Sequence, residues 1–233
     1  MAQYERFDEE IPQSNIIVVA NMPNEDINLN SSPSQTDSNT RHAMITLNII
    51  SVFVSLVCGV VTFFLAIEDR STSALGFAVD TILDVLSFIA IIWRFTSTKD
   101  QSKREIYVLR ILAILFFISG LGVLIDSIND LRDRIHPLKN YYLVIAAVIE
   151  TLVFFCLALA KYIVAKKLNV ISAYSDVFNT FMAGVTACSI GITITIYNSH
   201  NNLWYLDPII GMIIALVIMA YGLWMMFKSL RKF

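Results

Sequence analysis

Residues 71–95 read STSALGFAVDTILDVLSFIAIIWRF, an apolar run of helix length that carries two carboxylates, Asp80 and Asp84. On a helix, positions i and i+4 lie one above the other on one face, so both acids point at one place. A charge near the middle of a bilayer costs roughly 2.5–3.5 kcal/mol on insertion scales. Two like charges on one face also repel each other. A sequence carries that burden where a cation answers it or where protons neutralise it part of the time. A divalent metal ion fits both conditions.

The rest of the chain places this run inside a membrane. Of 233 residues, 56% are hydrophobic and 15% charged, and the mean hydropathy is +0.65. That is too apolar for an ordinary soluble domain and fits a polytopic membrane protein. The formal net charge of −2 gives no case for nucleic-acid binding. Cys58, Cys156 and Cys188 are scattered through apolar runs without paired spacing. They read as small buried hydrophobes rather than as a disulfide framework or a structural zinc site. No cleavable signal peptide is expected, since the first long apolar run starts near Met44.

Six runs near the ~20 residues a membrane helix needs follow one another at about 44–67, 74–95, 106–128, 141–164, 170–197 and 208–227. The expected fold class is therefore an all-α membrane protein of six transmembrane helices, with short links that make sequential neighbours antiparallel. Residues 1–43 form an acidic, Asn/Ser-rich tail expected to be disordered. Residues 44–228 are expected to form the transmembrane domain and 229–233 a short cytosolic C-terminus, with no C-terminal soluble domain expected. Arg94, Lys99, Lys103, Arg104, Lys166, Lys167, Lys228, Arg231 and Lys232 gather on the side of the tail, against Arg70, Arg132, Arg134 and Lys139 on the other. The Lys/Arg bias puts both termini in the cytosol.

Polar residues inside the spans fall into groups. The first span carries Asn48, Ser51, Ser55, Cys58 and Thr62 at three- and four-residue spacing. This stripe reads either as helix-packing contact or as one wall of an aqueous cavity beside Asp80 and Asp84. In the fifth span Asp176, Asn179 and Thr180 share a face, and Asp176 is a functional candidate or a helix-start acid. Glu150 serves in proton transfer or pairs with Arg110, and Lys161 is expected to reach the cytosolic surface. No histidine lies in any span, so a metal site here uses oxygen ligands, with or without a thiol.

Three of these pieces resemble the cation diffusion facilitator family. SALGFAVDTILDVLS is similar to its second-helix Asp-x-x-x-Asp pattern, SDVFNT to the start of its fifth-helix motif, and YLDPIIGMIIALVIMAYGLW, with Asp207-Pro208, to its entry into helix six. The resemblance implies a homodimer that exports zinc or a similar ion from the cytosol, usually against protons. It implies Asp80 and Asp84 as metal ligands. It also puts Asn179 where the family has His and Ala183 where it has Asp, and it finds no His-rich loop between helices four and five. With Asp176, the expected metal set is Asp80, Asp84, Asp176 and Asn179.

The function expected is zinc efflux from cytosol to a vesicle, endosomal or lysosomal lumen or across the plasma membrane. Zinc is the transported substrate, and no organic cofactor is expected. The expected partners are a second copy of the chain, membrane lipid and other channels or transporters, with no nucleic acid. The alternative is a metal-sensing, non-transporting dimeric partner that regulates another channel or transporter. No nucleophile triad or phosphate loop is visible, so no enzyme is expected.

Overall fold

The computed structural model describes the backbone of residues 33–67, 73–96, 101–134 and 141–230; within these, the side chains of 33–37, 62–63, 65–67, 73–80, 101–102 and 201 lie outside the description. The chain divides into two compact units, Met1–Thr36 and Asp37–Phe233, and the second holds the helix bundle.

Among the described residues there are six α-helices and no strand: α1 Pro33–Ile67, α2 Ser73–Thr96, α3 Gln101–Asp133, α4 Tyr141–Leu168, α5 Ile171–Ser199 and α6 Leu206–Leu230, with a single 3-10 turn, Asn201–Leu203, before α6. Among the described residues, five of them, α1 and α3 to α6, are long and apolar enough to cross a membrane. The 24 residues of α2 rise about 36 Å at 1.5 Å each. Large apolar side chains point away from the bundle on several helices, among them Phe53, Tyr142, Leu152, Leu159 and Phe227. That is the inverse of a water-soluble surface and is what a lipid-facing belt requires.

α1 begins at Pro33, about ten residues before the first apolar run. Proline's fixed φ suits a first helical position. Further along, the Arg41 guanidinium donates to the Phe95 carbonyl at 3.0 Å, and so satisfies a backbone acceptor at the end of α2. The link between α4 and α5 is shorter than the sequence suggests. Lys166 and Lys167 are helical, and only Asn169 and Val170 connect. Asn169 takes the left-handed conformation at φ 48°, and its N–H closes on the Ala165 carbonyl at 2.8 Å.

The most extensive packing is α3 on α6 and α4 on α5, followed by α2 on α3. Two glycines explain the first pair. A Cβ at Gly120 would stand 2.9 Å from the Ala215 carbonyl, and one at Gly222 would stand 3.0 Å from the Ala113 carbonyl. Each helix lacks a side chain where the other's backbone passes, which is how membrane helices gain contact without a hydrophobic driving force.

The apolar core, including Met44, Ile91, Phe95, Leu109, Leu112 and Met225, gathers where α1 and α3 begin, α2 and α6 end, and α4 turns into α5. A buried charged contact locks the same end. Arg94 pairs with Glu105 at 2.5 Å, and Glu105 also accepts from the Ser172 N–H at 2.8 Å and its hydroxyl at 2.6 Å. Val170, the N-cap of α5, offers no side-chain cap. A carboxylate from α3 does that work instead, at the positive end of the α5 dipole. The cysteines are not buried as expected: all three are free, Cys156 is exposed, and Cys58 and Cys188 are half-buried. On a bundle bathed in lipid, an exposed thiol costs little.

Candidate cation site

α2 positions Asp84 by the same turn-by-turn spacing that pairs it with Asp80; the Asp80 side chain lies outside the described residues. Asp84 is half-buried. It faces α5, where the Asn179 amide nitrogen donates to its carboxylate at 3.1 Å. The two line a cavity of about 70 Å³ whose other polar walls include Ser55 and Cys58 of α1, Ser119 of α3, Glu150 of α4 and Thr186 of α5. That volume holds a few waters. Cys58 and Glu150 stand on the wall formed by α1 and α4. Ser55 Oγ is buried and has no hydrogen-bond partner among the described residues.

The expected fifth-span group divides in two. Asn179 reaches Asp84, but Asp176 and Thr180 turn to Lys161 of α4. The Lys161 ammonium lies 3.0 Å from Asp176 Oδ1, donates to Thr180 Oγ1 at 2.9 Å and to Asn48 Oδ1 at 3.4 Å, and stands 4.3 Å from the centre of the Phe88 ring. Asn48 closes the group by donating to Asp176 Oδ2 at 2.9 Å. Lys161 therefore does not reach the surface: it is 0% exposed and Asp176 is 2% exposed. The reason is geometric. Lys161 lies seven residues before the last residue of α4, about 10 Å along the axis, and a complete set of acceptors waits beside it. A paired, hydrogen-bonded ammonium is tolerated there and an unpaired one is not.

The first-span stripe serves both readings left open by the sequence. Asn48 joins helices by hydrogen bonds, while Ser55 and Cys58 form cavity wall. Glu150 sits on that cavity, whereas Arg110 donates to the Ser229 hydroxyl at 3.2 Å. Among the described residues, no three His, Cys, Asp or Glu side chains come close enough together to hold a metal ion. Ala183 lines the cavity without a donor atom. Sequence reasoning missed Glu105 as the cap of α5 and Lys161 as a buried partner. A signal for the second was present: Lys166 and Lys167 already mark the interface, and Lys161 lies more than a turn deeper.

No family model matches this chain. It is 28% identical over 187 residues to transmembrane protein 163 of Xenopus laevis, a match that covers 79% of this chain and 66% of the relative.

Proposed function

We propose that this is a six-span transporter of divalent cations, with zinc as substrate, carrying the ion out of the cytosol into a vesicle, endosomal or lysosomal lumen or across the plasma membrane. Asp80 and Asp84 bind the ion, Asn179 and water complete its shell, and Asp176 stays with Lys161. The observation that carries the reading is the Asp84–Asn179 cleft opening on a cavity that has hydroxyl and carboxylate groups in its wall, inside a bundle of apolar helices. An ionisable residue kept at such depth is expected to serve a passage or a ligand.

The resemblance of three motifs to the cation diffusion facilitators supplies zinc, the homodimer and exchange for protons. The linkage is simple: metal binds the deprotonated carboxylates, so an acidic compartment beyond the membrane weakens binding and releases the ion there. Both termini lie in the cytosol, as the Lys/Arg bias requires.

A second reading has its own observation. The cavity face of α5 offers Asn179, Ala183 and Thr186 but no carboxylate. A site so thin suits a metal-sensing dimer that regulates another channel or transporter without moving the ion. Flux of a panel of divalent cations through the purified protein in liposomes separates the two. Saturable zinc flux supports transport. Zinc binding without flux of any ion supports sensing.

A further inference from the structure

Lys161 is the fully buried cation beside the proposed passage, and its surroundings tie it to Asp84. Phe88, under its ammonium, follows Asp84 by one turn of α2, and Thr180, one of its acceptors, adjoins Asn179 in α5. Besides the direct pair with Asp176, the ammonium is therefore placed near Asp84, where its charge is felt through a medium that screens weakly. One positive charge thus serves two carboxylates, one in contact and one across a turn of helix. As a mere tie between helices such a pair is a poor device, because burying both ions costs about what their attraction returns. Its charge matters more. A divalent ion entering the cleft meets a fixed positive charge nearby in a medium that screens weakly.

We propose that Lys161 is a tethered counter-cation for the empty site, balancing Asp84 when no ion is bound and lowering the cleft's affinity for a divalent cation when one enters. Asp176, Thr180 and Asn48 hold the ammonium at its post, and Asp176 is thereby kept out of the ligand set. A passage site has to bind strongly enough to capture its ion and weakly enough to let it go. A fixed neighbouring charge sets that balance without touching the ion, and it penalises a divalent ion twice as much as a monovalent one. The inference rests on the reading of the cleft as a cation site.

The test is calorimetric titration of the full-length protein in detergent micelles with zinc chloride, at one pH, with thermal unfolding recorded for each variant. Lys161→Gln is expected to bind zinc about tenfold more tightly than wild type, Asp176→Asn about tenfold more weakly, and the double variant within about threefold of wild type. A purely structural pair lowers the unfolding temperature of the single variants and leaves this order of affinities flat. A folded Lys161→Gln protein that binds zinc no more tightly than wild type overturns the proposal. So does a double variant as weak as Asp176→Asn, which makes Asp176 a ligand. If Lys161→Gln does not fold, the comparison of Asp176→Asn with the double variant, which leaves no buried charge unpaired, decides alone. Asp84→Asn separates the two levels: unchanged zinc binding there defeats the cleft as a site, whereas lost binding there with a flat Lys161 series defeats only the counter-cation.

Discussion

Asp84 and Asn179 come from helices 95 positions apart in sequence and meet in one hydrogen bond. The sequence made Asp84 conspicuous, because a carboxylate in an apolar run demands an explanation. It also set Asp176 beside Asn179 on one helical face. What it could not supply was direction: the face is broad enough that Asn179 looks toward α2 and Asp176 toward α4, and only packing decides that. Lys161 shows the same limit, since burial depended on three acceptors from two other helices. At this scale we expect Asp84→Ala to abolish the proposed zinc movement while protein level persists, because a single remaining carboxylate carries too little charge for a divalent ion. Asn179→Ala, which removes one neutral donor, should weaken zinc movement less than Asp84→Ala. Asn179→His combined with Ala183→Asp supplies a softer donor and a second charge, so it should raise preference for zinc over manganese; an unchanged ratio of zinc to manganese flux would refute that placement of α5.

Among the elements, α5 is the one whose position the site depends on most, and its start is held from outside. Glu105 caps it from α3 while pairing with Arg94 of α2. Helix periods and lengths were readable from apolar runs, and the helix boundaries fall close to the expected ones for α2, α4, α5 and α6. The cap was not readable, because nothing in a single segment shows that a carboxylate at the start of one helix serves the amide of another. Removing it leaves Arg94 buried and unpaired, a loss of about 3–5 kcal/mol. Glu105→Ala should therefore lower the unfolding temperature sharply, and Glu105→Gln, which still accepts from Ser172 but gives up the ion pair, by less. Equal stability of both variants and wild type would show that the capping contact contributes nothing.

At the scale of the molecule, the direction of transport follows from orientation, and orientation rests on where Lys and Arg fall. Asn30-Ser31-Ser32 matches the acceptor pattern for N-glycosylation; it lies outside the described residues. With the tail in the cytosol, as proposed, Asn30 is expected to stay unmodified in a cell that glycosylates. A glycosidase-sensitive mobility shift traced to Asn30 would invert the topology and make uptake the direction to defend.

In the proposed function a divalent cation crosses the bundle by way of the second-helix acids. Zinc flux into liposomes carrying the purified full-length protein, wild type beside Asp80→Ala/Asp84→Ala, measures it most directly. Saturable zinc flux is expected in the wild type, faster into an acidic interior than a neutral one, and none above protein-free vesicles in the double variant at equal reconstitution. Zinc flux of wild-type rate in the double variant would contradict it.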